Sequence, residues 1–375
     1  MVTIAVTGFR GVPGTWGGVE HQCEELYSRL AAKGYRIIIY ARNSYVPKDI
    51  TLYKGMEIRR LPTINTKYTE ALIHTFLSIL HILKSNPEIV HIYSQGPAVF
   101  SPLVRLFRPK MRLFFTCGGL DWQRKKWPPW ASRLVRIGEW CSAVFPHYRI
   151  VVSKELVKYY KRSYGVEAHY IPNGIPVPVL REPNIIRKFG LTSRGYFLFV
   201  GRLVPEKRVE DIIMAFGLKP RGTKLVIVGD SAGADDYVRK LKLLAGNNSS
   251  ILFIGFQYGE AIQELYSNAR AFVNASELEG LPLTVLEAFS YGLECLLSDI
   301  EPHREIMGFK NVVGHLFPVR QVETLARRMD GMDKISNGCL KKIRALPKTA
   351  VESHYSWDAA ALALEKLYLK SLEDR

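Results

Sequence analysis

Apolar residues in this chain fall into short unbroken runs, separated by stretches in which they recur every three or four positions. The first run, Thr3-Ile-Ala-Val-Thr7, ends in a glycine loop. Val19, Cys23, Leu26 and Leu30 then follow at spacings of four, three and four, which puts them on one face of a helix. Gly34 closes that helix, and Arg36-Ile-Ile-Ile-Tyr40 returns to strand. Further strands are predicted at Ile89–Ile92, Leu113–Thr116 and Arg149–Val152. This is the β-α-β rhythm of a parallel sheet. A second cycle starts after Tyr170-Ile-Pro-Asn-Gly-Ile175, whose Pro-Asn-Gly is turn chemistry. Tyr196–Val200 reads as a buried strand, and Val209, Ile212, Ile213 and Phe216 share a helix face. Strands recur at Leu225–Val228, Ile251–Ile254, Ala271–Val273 and Cys295–Leu297. The pattern predicts an α/β protein of two doubly wound units joined near residue 175, and 375 residues is the length of two domains rather than one. Ligand is then expected at the carboxyl ends of the strands, in a cleft between the units.

The most informative chemistry lies at residues 276–292. Glu279 and Glu287 are separated by seven residues, the first beside a Gly280-Leu281-Pro282 turn and the second inside a helical pattern. A turn leading into a helix leaves backbone N–H groups without partners, which suits an anion. An ionised Glu only accepts hydrogen bonds, so the two carboxylates suit sugar hydroxyls. A polyol attached to a phosphate satisfies both halves, and that describes a nucleotide sugar. Arg202 and Lys207, five residues apart after the Tyr196–Val200 strand, can converge on one diphosphate, the guanidinium as a fork and the ammonium as a point charge. Gly8-Phe-Arg-Gly-Val-Pro-Gly, followed by Gly17-Gly18-Val-Glu20, lies between the first strand and the first helix, where glycine lets backbone approach a ligand. It is not a G-x-G-x-x-G fingerprint, which weakens a dehydrogenase reading.

The run from Ser276 to Gly292 resembles the donor-site signature of retaining glycosyltransferases of family 4, which have the GT-B fold: two Rossmann-like domains facing a central cleft, with a C-terminal helix crossing back to the first. The resemblance implies an acceptor-side domain over residues 1–174, rejoined by about 356–375, and a donor-binding domain over 175–355. It also implies that Glu279 touches the donor sugar, Glu287 holds the ribose, and Arg202 and Lys207 clamp the pyrophosphate. The backbone of Gly280, Leu281, Pro282 and Leu283 meets sugar and phosphate, and Gly17 and Gly18 face donor phosphate and acceptor. Asp299 and Glu305 fall where the family keeps acidic residues. The N-terminal loop resembles more narrowly the branch containing bacterial surface-polysaccharide rhamnosyltransferases. One departure stands out: where relatives carry His or Asp facing the reacting carbon, this chain has Gly118, in Thr116-Cys-Gly-Gly-Leu-Asp121-Trp122. Asp121 or His91 is the candidate to act instead.

Charge and composition add a partner. The formal net charge is +17, and between Phe100 and Arg162 fourteen Lys/Arg face only Asp121, Glu139 and Glu155. With Trp122, Trp127, Trp130 and Trp140 interleaved, this suits an anionic membrane at which a lipid-linked glycan acceptor would be met. Nucleic acid is the rival for such charge, but no recognition helix, zinc finger or RNP-like strand is present, and no nucleic-acid partner is expected. A nucleotide-sugar epimerase is the rival enzyme. Ala71–Leu83 is too short to span a bilayer, the N-terminus reads as a strand rather than a leader, and five scattered cysteines form no C-x-x-C. The expectation is a cytoplasmic protein, peripheral on the inner face of the cell membrane. No Asp-x-Asp occurs, so neither a metal nor any other cofactor is expected and the nucleotide sugar is a substrate.

Overall fold

The computed structural model describes residues 1–14, 17–64, 69–123, 128–231, 235–309, 313–338 and 353–374. The chain divides into two compact units, Met1–Gly174 with Tyr355–Arg375, and Ile175–His354. In the first unit, β1 (Thr3–Thr7), β2 (Arg36–Arg42), β3 (Leu52–Tyr53), β4 (Met56–Leu61), β5 (Ile89–Tyr93), β6 (Arg112–Cys117), β7 (Tyr148–Val151) and β8 (His169–Tyr170) form one sheet. Its spatial order is β3-β4-β2-β1-β5-β6-β7-β8. All its pairings among the described residues are parallel except β3 with β4. In the second unit, β9 (Tyr196–Val200), β10 (Lys224–Val228), β11 (Ile251–Phe253), β12 (Ala271–Asn274), β13 (Cys295–Ser298) and β14 (Gly314–Phe317) form a parallel sheet in the order β11-β10-β9-β12-β13-β14.

The apolar runs become central strands because helices cover both faces of a parallel sheet, so side chains pointing either way must leave water. Ile4, Ala5 and Val6 of β1 and Phe197, Leu198 and Phe199 of β9 are fully buried. The periodic stretches become the covering helices. Cys23, Leu26 and Leu30 of the helix Gly18–Ala32 face the core, as do Val209, Ile212, Ile213 and Phe216 of Val209–Gly217. Four strands were not foreseen from the sequence: β3, β4, β8 and β14. These lie at or near sheet edges, where half-buried residues such as Glu57, Arg59 and Arg60 break the apolar run.

Each sheet reverses its winding at one strand. β1 has β2 on one side and β5 on the other, and β9 stands between β10 and β12. Connections leave such a pair toward opposite faces, so the loops beyond the two carboxyl ends splay apart and leave a crevice. In the second unit this point lies between β9 and β12 and is followed by residues 201–208 and 275–282.

The C-terminal helix Trp357–Glu373 belongs to the first unit. Ser356 caps it by accepting from the Ala359 N–H. It lies against Gly18–Ala32, with Arg29 Nε 2.6 Å from Asp358 Oδ1 and a Lys33–Glu365 ion pair one turn on. Tyr368 carries its hydroxyl into the core, 2.6 Å from His91 Nδ1 and 3.1 Å from Tyr27 Oη.

Two glycines inside helices separate packing from propensity. A Cβ on Gly138, within Pro129–Val144, would lie 2.0 Å from the Gln95 carbonyl oxygen, whereas a Cβ on exposed Gly331, within Val322–Lys334, meets nothing within 4 Å. Gly331→Ala should stabilise its unit by about 0.5–1 kcal/mol through helix propensity. Gly138→Ala should destabilise by more than that, since helix and strand-end loop must separate. Urea unfolding of both variants checks the pair; equal signs would contradict this account of the contact.

Candidate functional site

The second unit gathers its predicted residues at the β9/β12 reversal. Gly201 and Gly229, at the ends of β9 and β10, approach so closely that a Cβ on Gly229 would lie 1.9 Å from the Gly201 carbonyl oxygen. Gly201 N–H donates to Val228 O and Leu203 N–H to Asp230 O, both at 3.0 Å, which fixes the segment carrying partly buried Arg202. A short 3-10 turn, Pro205–Lys207, then aims Lys207 at the loop after β12. The two loops are tied by backbone, with Glu277 N–H donating to Glu206 O at 2.9 Å.

Across that tie, Lys207 Nζ lies 2.5 Å from Glu279 Oε1, and both side chains are largely buried. Ser276 Oγ donates to the same carboxylate oxygen at 2.8 Å. Burial alone would raise the pKa of Glu279, but the Lys207 ammonium, His303 and the Ser276 hydroxyl outweigh it and hold the group below its ordinary value. Glu279 is therefore an anion at neutral pH, and removing it strands a mostly buried ammonium at a cost of about 3 kcal/mol. Gly280 and Leu281 then turn the chain into the helix Leu283–Ser290. Pro282 occupies its N-cap position with no side-chain cap, and its carbonyl accepts from the Val285 and Leu286 N–H groups at 3.1 and 3.2 Å.

Glu287 lies one and a half turns into this helix. Tyr266 Oη, on the helix Gly259–Asn268, donates to its Oε2 at 3.0 Å. Burial pushes Glu287 up to about 7, against the weaker opposing effect of Tyr266. The two signature carboxylates thus differ sharply: one is paired with a cation and ionised, the other titrates near neutrality. Two further groups were missed by sequence reasoning. His303, on Glu301–Met307, is fully buried, with Nδ1 2.7 Å from Ser298 O, which assigns the proton to Nδ1 and leaves Nε2 as an acceptor with no partner among the described residues. Burial lowers its pKa to about 4 despite nearby Glu279. Tyr266, stacked on Tyr291 at 5.3 Å, is the other. A lone His and a lone Tyr carry no spacing signal. Asp299 is engaged elsewhere, in a two-bond ion pair with Arg304 at 2.5 and 2.9 Å.

In the first unit, Gly17 and Gly18 stand at the start of Gly18–Ala32, after the loop that follows β1. That loop is held by carboxylates from the same helix: Glu20 accepts from Arg10 N–H at 3.2 Å and Glu24 from Gly14 N–H at 2.6 Å. The Glu of the Gly-Gly-x-Glu run thus shapes the loop. Asp121 starts a 3-10 turn beyond β6, its N–H donating to buried Gln95 Oε1 at 2.9 Å. At Gly118, among the described residues, an added Cβ would meet Val19 Cγ2 at an ordinary 3.7 Å, so the backbone leaves room for a side chain there.

His91 does not join these residues. It is fully buried inside β5, with Nδ1 2.7 Å from Tyr27 Oη and Nε2 2.7 Å from Thr116 Oγ1, and burial lowers its pKa to about 3. Nδ1 is engaged by Tyr27 and by Tyr368 of the C-terminal helix and Nε2 by Thr116 of β6, so it is a packing residue and has no nitrogen left for substrate. Among the described residues no group of three His, Cys, Asp or Glu side chains could hold a metal ion.

Comparisons with known proteins bear on both units. Residues 16–177 match the family described as Glycosyltransferase Family 4, and residues 182–337 match Glycosyl transferases group 1. The chain is 23% identical over 331 residues to a GDP-mannose-dependent alpha-mannosyltransferase of Mycobacterium tuberculosis, covering 82% of this chain and 81% of the relative. It is 24% identical over 291 residues to an amylovoran biosynthesis glycosyltransferase of Erwinia amylovora, covering 76% and 77%. Among solved structures, sucrose-phosphate synthase from Thermosynechococcus elongatus superposes with a TM-score of 0.84 at 19% identity over the whole of both chains. The fold is GT-B.

Glu287 has a pH signature. Its folded pKa, near 7, lies above the ordinary 4.5, so the folded state binds the extra proton between those values. Stability from this group is therefore greatest below about pH 4.5 and is lost as pH rises toward 7, by up to about 1.4 kcal/mol per unit. Glu287→Gln keeps an acceptor for Tyr266 and removes this titration. It should be more stable than wild type at pH 8 and close to it at pH 5, by urea unfolding; parallel pH slopes would refute the assignment.

Proposed function

Because the chain belongs to the family-4 glycosyltransferases of GT-B fold, its two units matching their family models in order, we propose that it moves a hexosyl or deoxyhexosyl group from a nucleoside-diphosphate sugar to an acceptor hydroxyl, with retention and without a metal. The acceptor we assign is a lipid-linked glycan of cell-surface polysaccharide synthesis. The observation that carries the donor reading is the meeting of Lys207 and Glu279 at the β9/β12 reversal, where a cation fit for diphosphate adjoins a carboxylate fit for sugar hydroxyls. The name of the M. tuberculosis relative supports a nucleotide sugar, and that of the E. amylovora relative supports polysaccharide synthesis. The loop after β1, similar to that of rhamnosyltransferases, keeps a deoxyhexose among the donors to be tried. The epimerase and nucleic-acid readings draw no support from these matches.

In this reading Arg202 takes diphosphate oxygens through its fork. Lys207 turns part of its donor capacity from Glu279 to the same group, neutralising the charge that develops on the leaving nucleoside diphosphate. Glu279, so released, accepts from hydroxyls of the donor sugar. Glu287 accepts from the ribose in place of Tyr266, and two good donors there favour its ionised form. Backbone N–H groups from Gly280 to Leu283 meet phosphate and sugar. Gly17 and Gly18 face donor phosphate and acceptor, and Asp121 is the catalytic candidate of the first unit.

The test is a thermal-shift panel of UDP, GDP and dTDP, since a ligand bound only by the folded state raises its stability. Turnover of the matching sugar donor then follows, with and without a chelator. Arg202→Ala or Lys207→Ala should weaken nucleoside-diphosphate binding by at least about tenfold. A variant that kept both full nucleotide affinity and full turnover would sink the clamp.

The glutamates should part company. Glu279→Gln frees Lys207 from an anionic competitor, so it should bind free nucleoside diphosphate as tightly as wild type or more tightly while losing most turnover. Glu287→Ala should weaken free nucleotide. Equal losses of nucleotide affinity in both would contradict the division of roles.

A further inference from the structure

Three helices of the first unit pack side by side: Glu70–Ser85, Ser101–Phe107 and Pro129–Val144. By helical spacing alone, Leu134, Ile137 and Cys141 of the last would share one apolar face. Instead Cys141 is buried and Leu134 half-buried, while Trp130, Ile137, Trp140 and Val144 are each about half exposed, between 45% and 52%. Arg133 and Arg136 are exposed among them. The one acid of this helix, Glu139, is turned inward, where Tyr159 and Tyr164 donate to its Oε1 at 2.6 Å each. The neighbouring helix has no acid and ends in exposed Leu106 and Phe107, with Arg108 and Lys110 just beyond. The third exposes Phe76, Leu80 and Lys84, and its one acid, Glu70, is buried against Arg42 at 3.1 Å.

These helices therefore present apolar and cationic groups to solvent and withhold both of their carboxylates. Soluble surfaces mix charge signs and bury aromatic residues, so this selection needs a partner that is anionic outside and apolar beneath. We propose that this face docks the first unit on the interface of an anionic lipid bilayer, Trp130 and Trp140 lying at headgroup depth and the arginines and lysines meeting the phosphates. Among the described residues no helix is long and apolar enough to cross a membrane, so the attachment lies in the interface. Arg124, Lys125, Lys126 and Trp127, part of the same basic stretch, lie outside the described residues and the proposal does not use them. The docking deepens the functional reading by naming where a lipid-linked acceptor is met, and it rests on that reading for the acceptor alone.

The experiment is co-sedimentation of the full chain with vesicles of phosphatidylglycerol and phosphatidylethanolamine, against phosphatidylcholine alone, at low and high salt. Binding should require the anionic lipid and fall as salt rises. Two double variants change only exposed residues: Ile137→Asp with Trp140→Gln, and Arg108→Glu with Arg133→Glu. Each should lower vesicle partition at least about tenfold while keeping the wild-type thermal shift with nucleoside diphosphate. The proposal is overturned if wild type ignores anionic vesicles at low salt, if either variant partitions as wild type does, or if a nucleic acid rather than vesicles is bound in a salt-dependent way. A chain that shifts with nucleotide but ignores vesicles loses the docking face and keeps the enzyme reading. One that binds vesicles but no nucleotide does the reverse.

Discussion

The reversal of strand order beside β9 governs the candidate site. Parallel strands wound the same way send their loops to one face, where they crowd each other. Between β9 and β12 the winding changes sign, and the loops that carry Arg202, Lys207 and Glu279 leave in opposite directions. The gap left between them is spanned by the backbone hydrogen bond from Glu277 to Glu206 and by the ion pair of Lys207 with Glu279. The electrostatics follow from that geometry. A carboxylate placed there is ionised because an ammonium faces it. Its partner in the signature, Glu287, sits a helix turn and a half away with only a hydroxyl for company, and burial drives it toward the neutral form. One signature therefore yields two carboxyl groups of different character.

On the other side of β9, toward β10, the site is anchored by glycine. A Cβ on Gly229 would strike the Gly201 carbonyl, and the close approach of these glycines brings the ends of β9 and β10 near enough for backbone hydrogen bonds to hold the β9 loop. With the backbone fixed from below, Arg202 and Lys207 need only side-chain freedom to reach a ligand. In the first unit a different device serves the loop after β1, where Glu20 and Glu24 reach back from the following helix to hold its N–H groups.

Much of this was legible in the sequence, for physical reasons that also mark its limits. Central strands announced themselves because burial on both faces demands unbroken apolar runs, so β1, β5, β9 and β12 could be placed nearly to the residue. Strands next to an edge such as β4, reading Met-Glu-Ile-Arg-Arg-Leu, carry half-buried polar residues and have no such run. The cluster of Arg202, Lys207, Glu279 and Glu287 was legible because these residues lie in two short local motifs whose spacing survives as local geometry. His91 was misplaced because sequence locates it on a strand but does not show what covers the strand. Tyr27, Thr116 and Tyr368 close over it from three distant parts of the chain. His303 was invisible for the complementary reason: its environment is made by Ser298 and the Glu279–Lys207 pair, with no pattern of its own.

The helix Pro129–Val144 shows how a single contact decides a surface. By hydrophobicity alone Trp130 and Trp140 belong inside and Glu139 outside, the opposite of what is found. Gly138 settles the rotation. Its missing side chain lets the helix backbone press against the Gln95 carbonyl, at a distance no other residue permits, and that fixes which face looks inward. Glu139, next in sequence, is carried in with it, and the hydroxyls of Tyr159 and Tyr164 replace the lost hydration at its Oε1. Trp130, Ile137, Trp140 and Val144 are left on the far side, between arginines. Burying a carboxylate while exposing two indoles raises the free energy of the isolated chain. Such an arrangement becomes favourable when the exposed face has an apolar, anionic medium to enter.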